Sequence, residues 1–403
     1  MKTICIIGTL DTKGKEFGFL KELIEARGFH TFCINTGVFE SLFTADVSNA
    51  EITAAVGVDM QEIVAKGDRA LATDTISRGL ELLLPQLYAQ GKFDAVLSAG
   101  GSGGTSMAAP AMRALPLGVP KMIISTMASG NVSQYIDTSD LIMVPSIVDV
   151  EGLNDISRKI FTNAVNALCG MVHFPHQFEA DSRPLLAATM FGVTTPCIKV
   201  AKEYLEAQGY DVLVFHATGA GGKSMEALID AGYIKGVLDI TTTEWCDEIV
   251  GGVLTAGPHR LEAAGRQGIP QVVSVGALDM VNFGPLSTLP QEFAARKLYP
   301  HNPTVTLMRT TAEELTQIAN VIVEKLNAAQ GPTTLMLPLR GVSAIDVEGA
   351  PFYDAEADAA LFATLRNKIA ANVELVEMDN AINDEAFALA AAKKLVALLD
   401  RAN

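Results

Sequence analysis

Short apolar runs alternate along the chain with longer amphipathic stretches, and this pattern predicts strands alternating with helices. The chain begins with an apolar run over residues 3–8, followed by a stretch with apolar residues at three- and four-residue spacing. That stretch ends at Gly28, a residue type common just after helices, and a second apolar run covers residues 31–34. The order strand, helix, strand is typical of a βαβ unit, which favours a parallel sheet with helices on both faces.

The second half of the chain opens with the same order of elements. An apolar run over 185–191 precedes an amphipathic stretch that ends at Gly209, and the next apolar run covers 212–215. The two amphipathic stretches, 20–28 and 200–209, are also alike in sequence. An internal duplication accounts for this likeness, and so does the pattern that any two doubly wound domains share.

Continuous apolar runs predict the remaining strands, because strands covered on both faces lack polar alternation. These runs lie at 95–98, 121–126 and 141–145 in the first half and at 236–240, 271–275, 305–308, 333–337 and 373–378 in the second. Prolines and charges interrupt the pattern over 174–184, which predicts a domain boundary there. We therefore expect an α/β protein with two doubly wound, Rossmann-like parallel-sheet domains, residues 1–180 and 181–403.

Composition and charge narrow the class of protein. Hydrophobic residues make up 49% of the 403 positions and charged residues 19%, which excludes a disordered chain and predicts sizeable cores. No apolar run reaches the ~20 residues of a membrane span, and no signal-peptide pattern is present. The five cysteines form no CxxC pair, so we expect a cytoplasmic protein with reduced thiols. A net charge of −16 disfavours nucleic acid as a partner, and a bound nucleotide is expected to arrive with Mg²⁺.

A glycine-rich loop follows the strand predicted at 95–98. Residues 100–104 read Gly-Gly-Ser-Gly-Gly, although each glycine costs roughly 0.5–1 kcal/mol in a regular element. Between a strand and a helix, such a loop commonly holds a phosphate through its amides and the helix dipole. The sequence therefore predicts a nucleotide site; a tight turn without a ligand is the alternative. The amides expected to hold the polyphosphate belong to Gly101, Ser102, Gly103, Gly104 and Thr105.

The loop after the first strand is expected to face the same crevice, because ligands of open parallel sheets bind where the strand order reverses. The hydroxyls of Thr9 and Thr105 can donate to phosphate oxygens, beside Gly8 at the end of the strand. Lys13 can supply positive charge and Asp11 can hold Mg²⁺ through a water. A helix cap at Asp11 and a solvated Lys13 are the alternatives. The residues expected to line the ribose or the base are Thr126, Met127, Ser129 and Gly130.

A second glycine cluster covers residues 218–224 and resembles a P-loop at first sight. The P-loop pattern requires glycine at position 217, which is Ala217 here, so this cluster is not a P-loop. Its amides, those of Gly219, Gly221 and Gly222, are predicted to hold an anionic group of a substrate. A tight strand-to-helix turn without a ligand is an equal alternative.

Polar residues beside strand ends make the second half a candidate for a second site. A histidine with a nearby carboxylate can act as general acid or base, and arginines suit a carboxylate or phosphate on a substrate. The candidate catalytic residues are His216, Glu244, Asp247, His301 and Arg309. The other candidate substrate contacts are Arg260, Asn282, Asn302 and Arg340. The alternative is structural, since such carboxylates often cap helices and arginines often bind carboxylates.

Stretches along the whole chain match one family in order. They are Ile7–Gly14, Ala99–Thr105, Ser125–Gly130, Thr189–Pro196, Phe215–Gly222, Asp279–Gly284, His301–Pro303 and Val305–Thr310. With them the chain resembles the ATP-binding domain family named for a tomato mosaic virus resistance protein, which includes bacterial relatives. The resemblance implies two Rossmann-like subdomains, ATP with Mg²⁺ in the N-terminal one, and dimers. The plant relative carries a further C-terminal barrel domain, so we do not expect its virus-inhibiting role here.

Together these observations predict a cytoplasmic, homodimeric protein that binds Mg·ATP. One hypothesis is an ATP-dependent enzyme acting on a small anionic metabolite. A second is a nucleotide-binding regulatory or scaffold module without turnover. A third is a lyase or hydrolase in which ATP is purely allosteric. No catalytic residue is identified by the sequence.

Overall fold

The computed structural model describes residues 1–174 and 183–402, which form two compact units, one on each side of the gap. The predicted boundary at 174–184 therefore lies largely outside the described residues. Each unit contains a parallel sheet with helices packed on both faces. Within the described residues, no helix combines the length and apolarity needed to span a bilayer.

The first unit is a five-stranded parallel sheet with the order β2-β1-β3-β4-β5. Its strands are β1 (Thr3–Gly8), β2 (His30–Asn35), β3 (Ala95–Gly100), β4 (Lys121–Ser125) and β5 (Ile142–Pro145). Its helices are α1 (Gly14–Glu25), α2 (Asn49–Ala54), α3 (Met60–Lys66), α4 (Arg69–Ala89), α5 (Ser102–Arg113), α6 (Ser133–Ile136) and α7 (Asp155–His173). Because β1 lies between β2 and β3, the strand order reverses at β1, as the sequence predicts.

Alternate residues of β1 pack into two different cores, which explains why this strand is apolar throughout. Cys5 and Ile7 belong to a cluster that includes residues of α4 and α5, and Ile4 and Ile6 to one that includes residues of α1 and α7. All four side chains are fully or almost fully buried. A strand with both faces covered shows no polar alternation.

The second unit has a six-stranded parallel sheet with the order β7-β6-β8-β9-β13-β14. Its strands are β6 (Leu185–Met190), β7 (Asp211–His216), β8 (Gly236–Thr241), β9 (Gln271–Gly276), β13 (Thr333–Pro338) and β14 (Val373–Met378). Its helices are α8 (Thr195–Ala207), α9 (Ala220–Asp230), α10 (Glu244–Val250), α11 (Ala263–Gln267), α12 (Ala312–Asn327), α13 (Ala355–Lys368) and α14 (Glu385–Ala402). The first four strands of both units share one order, as expected from a duplication and equally from two doubly wound domains.

A small antiparallel sheet in the second unit corrects one prediction. The run at 305–308, expected in the parallel sheet, is β12 (Val305–Arg309) and pairs with β10 (Met280–Phe283) and β11 (Leu298–Asn302). A turn of two residues joins β11 to β12, and so short a connection permits only antiparallel pairing. The side-chain oxygen of Asn302 accepts the Thr304 amide at 2.9 Å in this turn.

Candidate functional site

A cavity of about 660 Å³ opens in the first unit at the carboxyl ends of β1 and β3. This is the position where the strand order reverses and where open α/β sheets bind ligands. The cavity brings together the two loops that the sequence singles out. The predicted residues that line it are Thr9, Asp11, Lys13, Gly101, Ser102, Gly103 and Gly104.

The first turn of α5 presents backbone amides to this cavity. The helix begins at Ser102, and no side chain caps its N-terminus at Gly101. The Thr105 amide donates to the Gly101 carbonyl at 3.0 Å and so starts the helical bonding. The amides of Ser102, Gly103 and Gly104 precede that bond, and amides at this position in a helix have no intrahelical partner. These amides are therefore suited to donate hydrogen bonds to an anion.

The fold itself does not require glycine at three positions of this loop. Among the described residues, and apart from chain neighbours and the backbone of the same helix, a Cβ would come no closer to any atom than 3.7 Å at Gly101 and Gly103, and 3.5 Å at Gly104. None of these residues adopts a positive φ. Alanine would therefore fit within the protein, and the missing side chains leave the amides accessible from the cavity.

The structure corrects two predictions at this site, the phosphate contact of Thr105 and the place of Gly8 among the nucleotide-binding residues that face the crevice. Thr105 is fully buried, and its hydroxyl donates to the Gly101 carbonyl at 2.8 Å and meets the Ser125 hydroxyl at 2.6 Å. Its hydroxyl and amide are thus both used inside the protein. Gly8 is buried as well, and a Cβ there would lie 2.0 Å from the Phe17 ring, so this glycine allows close packing.

The residues predicted to line the ribose or base lie beside the cavity instead. Residues Thr126–Ser129 form a 3₁₀ turn after β4, and Gly130 follows it. Thr126 comes nearest, with its hydroxyl 3.7 Å from the position of a Cβ on Gly101. The turn is held by the Ser125 hydroxyl, which accepts the Met127 amide at 3.0 Å. Thr126, Met127, Ser129 and Gly130 are absent from the lining of the cavity as described.

Asp11 and Lys13 both line the cavity and are both held by the backbone. The Asp11 carboxylate accepts the Thr12 amide at 2.7 Å and the Phe39 amide at 3.1 Å, one on each oxygen. The Lys13 ammonium donates to the Val150 carbonyl. Each carboxylate oxygen of Asp11 keeps a free lone pair, which suits a hydrated Mg²⁺.

Other residues of the cavity were not found by sequence reasoning. Helix α4 contributes Arg69, whose guanidinium Nη2 lies 3.7 Å from the position of a Cβ on Gly103. An apolar wall comes from separate helices and loops, with Val38, Phe39, Ile63, Ala72, Ile76 and Met107. Carboxylates come from Asp68, Asp149 and Glu151. These residues are distant in sequence from the glycine loop, and no local motif marks them.

The second glycine cluster already holds an anion, which corrects its predicted role. The Glu244 carboxylate accepts the Gly219 amide at 2.7 Å and the Gly222 amide at 3.1 Å. A Cβ on Gly222 would lie 2.2 Å from that carboxylate, and one on Gly221 would lie 1.9 Å from the His216 carbonyl. The protein's own atoms therefore require these glycines, and a carboxylate of the chain takes the place predicted for a substrate.

Arg260 and Glu244 belong to one buried ion-pair network. The Arg260 Nε donates to Glu244 at 2.7 Å and its Nη2 to Asp239 at 2.7 Å, and only 1% of Arg260 is exposed. Burial alone would lower the pKa of Arg260, but the surrounding carboxylates raise it well above its ordinary value. Arg260 is thus a structural counter-ion rather than a substrate contact.

Asp247 and Asn282, also predicted at a second site, are paired with each other. The Asn282 side chain donates to Asp247 at 2.8 Å and the Asn282 backbone amide donates at 3.0 Å. Both residues are almost fully buried. Burial raises the pKa of Asp247 to about 7, against the opposing effect of these hydrogen bonds.

The structure also corrects the predicted catalytic role of Arg309, because this residue is buried and bonded within the protein. Its guanidinium donates to Asp358 at 2.6 Å, to Asp346 at 3.2 Å and to the Phe352 carbonyl at 2.7 Å. Only 3% of Arg309 is exposed. Burial and the neighbouring carboxylates of Asp279 and Asp358 raise the pKa of Asp346 above its ordinary value, and Arg309 opposes them.

The remaining candidates of the second unit are exposed and lie apart. His216 ends β7 beside Phe191, with ring centroids 5.4 Å apart. His301 lies near the β11–β12 turn, where the Asn302 side chain accepts the Thr304 amide. Arg340 lines a cavity of about 550 Å³ beyond β13 and β14. No cluster of three or more histidines, cysteines or carboxylates suited to a metal occurs among residues 1–174 and 183–402.

Models of one protein family match both parts of the chain. The N-terminal domain of the Uncharacterised protein family (UPF0261) matches residues 2–177, and its C-terminal domain matches 183–399. A UPF0261 protein of Clostridium tetani is 53% identical over 99% of this chain and 100% of its own length. A UPF0261 protein of Rhizobium meliloti is 46% identical over 97% of this chain and 98% of its own.

A plant protein matches over part of its length. The ToMV resistance protein Tm-1(GCR237) of Solanum lycopersicum is 41% identical over 95% of this chain and 54% of the tomato protein. A solved structure, the UDP-N-acetylglucosamine 2-epimerase from Rickettsia bellii, shares 9% identity over 68% of this chain and 78% of that chain. Its TM-score of 0.21 is too low to inform on function. The predicted resemblance is confirmed, because both bacterial UPF0261 proteins and part of the tomato protein match this chain. The chain belongs to the UPF0261 family.

Proposed function

We propose that the first unit binds a magnesium-complexed nucleotide, ATP, in the cavity between the glycine loop and the β1–α1 loop. The observation that supports this most is the open space at Gly101, Gly103 and Gly104, where no steric contact among the described residues requires glycine. An anion bound to the amides of the first turn of α5 would explain why glycine occupies these positions, because a side chain would cover those amides. ATP is the nucleotide implied by the resemblance.

The residues that line the cavity suit the phosphates, the Mg²⁺ and the base of such a nucleotide. The Thr9 hydroxyl and the Lys13 ammonium lie on the polar wall with the amides, and Asp11 offers oxygen lone pairs to hydrated Mg²⁺. Ile63, Ile76 and Met107 belong to the apolar wall, which suits the flat face of a base. A cavity of about 660 Å³ is in the usual size range of small-molecule sites.

Thermal unfolding with and without ligand tests the proposal. Mg·ATP at ~100 times its dissociation constant should stabilise the folded protein by about 2.7 kcal/mol, which raises Tm by several degrees. Mg·GTP and inorganic phosphate serve as comparison ligands. No shift with any nucleotide contradicts the proposal.

A matched pair of glycine variants locates the site. Gly103→Val should abolish the Mg·ATP shift while leaving the Tm of the ligand-free protein close to that of the parent, since the position has room. Gly18→Val is the control, because Gly18 is also helical and has no atom within 4 Å of its Cβ position but lies outside the cavity lining. Equal ATP shifts in the two variants would place the nucleotide elsewhere.

Glu244, Asp247 and Arg309 are buried, which disfavours catalysis by these three residues. We propose nucleotide binding without turnover as the first role to test, and an ATP-dependent reaction on an anionic metabolite as the second. Of the predicted substrate contacts, Arg340 lines a cavity. Phosphate release from Mg·ATP, measured with and without candidate metabolites, separates the two roles.

The cytoplasmic location and the homodimer stay proposals that follow from cysteine usage and the resemblance. Light scattering tests the homodimer directly. A mass of twice the 42.7 kDa of one chain supports it, and a mass of one chain contradicts it.

A further inference from the structure

The walls of the first-unit cavity carry more negative than positive charge. Carboxylates come from Asp11, Asp68, Asp149 and Glu151, whereas the cations are Lys13 and Arg69. A polyphosphate adds several negative charges, and the field of the carboxylates opposes its binding. A cation that faces the amides at the start of α5 would offset part of that repulsion, in addition to Mg²⁺.

The two cations of the lining differ in their partners. The Lys13 ammonium donates to the Val150 carbonyl, which fixes it against the β5–α7 loop. The Arg69 guanidinium forms no hydrogen bond or ion pair with any residue in the described ranges 1–174 and 183–402, and only the backbone carbonyl of Arg69 is bonded to a side chain, the Thr73 hydroxyl at 2.9 Å. The Arg69 side chain is exposed at the start of α4, directly after Asp68, which caps that helix by accepting the Ala70 amide at 2.9 Å.

The guanidinium of Arg69 also lies at the phosphate-binding end of the cavity. Its Nη2 is 3.7 Å from the position that a Cβ on Gly103 would occupy. The backbone of Arg69 is held by the capped N-terminus of α4, so the side chain needs no backbone rearrangement to contact an anion there. An arginine fork can give two parallel hydrogen bonds to one phosphate group.

We propose that Arg69 binds the phosphate group that rests on the first turn of α5, and that it makes this site selective for polyphosphate-bearing ligands over uncharged nucleosides. The inference rests on the proposed nucleotide function and names a residue that contacts the ligand. Lysine at this position keeps the charge but loses the planar fork, so it should restore binding in part.

Titration calorimetry on the full chain tests the assignment, with Mg·ATP, tripolyphosphate and adenosine as probes. Arg69→Gln should weaken binding of Mg·ATP and tripolyphosphate about tenfold or more, leave adenosine binding unchanged, and be partly rescued by Arg69→Lys. Arg78→Gln is the matched control, because Arg78 lies on the same helix, is paired with Asp74 at 3.5 Å and is outside the cavity lining. The ligand-free Tm of each variant reports whether it folds.

The outcomes separate this inference from the proposed function. If Arg69→Gln binds Mg·ATP as tightly as the parent, the Arg69 assignment is overturned and nucleotide binding stands. An equal loss for Mg·ATP and adenosine also overturns it, because that pattern indicates a damaged cavity. A parent protein that binds none of the three probes overturns both.

Discussion

At the scale of single residues, Asp247 shows how burial sets the chemistry of a carboxyl group. It accepts hydrogen bonds from Asn282 and Leu254, yet burial raises its pKa from the ordinary 3.8 to about 7. The folded protein therefore holds this proton more tightly than the unfolded chain does. The resulting stabilisation is fully present below the unfolded pKa and is lost as pH rises through the folded pKa, between about pH 4 and pH 7.

We expect Asp247→Asn to reduce this pH dependence, since asparagine stays neutral throughout. The Asn282 side-chain oxygen is buried and has no hydrogen-bond partner among the described residues, and rotating that amide lets it accept from the new asparagine. The difference in Tm between pH 5 and pH 8 should be smaller in the variant than in the parent. Asp74→Asn, at a side chain that is 63% exposed, is the control. An unchanged pH dependence in Asp247→Asn would show that other groups cause it.

At the scale of elements, the two glycine clusters look alike in sequence but meet different surroundings. The N-terminus of α5 faces a cavity, whereas the amides that begin α9 are bonded to Glu244, which itself opens α10. The carboxylate satisfies these amides and pairs with Arg260 at 2.7 Å. In the second unit an anion is therefore built into the fold.

Glu244→Gln should lower the free energy of unfolding by about 3 kcal/mol, because it removes one partner from a buried ion-pair network. The glutamine oxygen can still accept from Gly219 and Gly222, but its amide group faces the Arg260 donor. Urea unfolding measures the loss, and Glu248→Gln, at a partly exposed site on the same helix, should change it little. If the Glu244→Gln variant were as stable as the parent but lost binding of a metabolite, Glu244 would be a ligand contact and not a structural residue.

At the scale of the whole molecule, each unit has its own hydrophobic cores. The cores of the first unit contain residues between Ile4 and Val172, and those of the second contain residues between Leu186 and Leu399. A unit with its own core can fold by itself.

A fragment of residues 1–182 should therefore unfold cooperatively and show the same Mg·ATP shift in Tm as the full chain. Calorimetry of the fragment and the full chain, each with and without Mg·ATP, checks this. A fragment that fails to fold would show that the first unit depends on the second for stability. A folded fragment without the shift would show that the nucleotide needs residues beyond 182.

Much of the fold was predictable because buried strands and helix ends produce recognisable patterns over a few consecutive residues. The continuous apolar runs of β1, β3 and β9 mark strands with both faces covered, and the glycines after α1 and α8 mark the helix ends. The pairing of β12 was mispredicted because an apolar run does not specify its partner, whereas the short turn at Pro303 and Thr304 does.

By itself, the sequence determined the alternation of strands and helices, the likeness of the two halves and the position of the glycine loop, because each depends on residues close together in the chain. The tertiary structure alone decided which polar groups line an open cavity and which are bonded within the protein. Arg69 reaches the glycine loop from another helix, and Glu244 reaches the Gly219 amide from 25 residues away. Such distant pairings arise from packing, so identical amides at two glycine clusters acquired an open cavity in one unit and a buried carboxylate in the other.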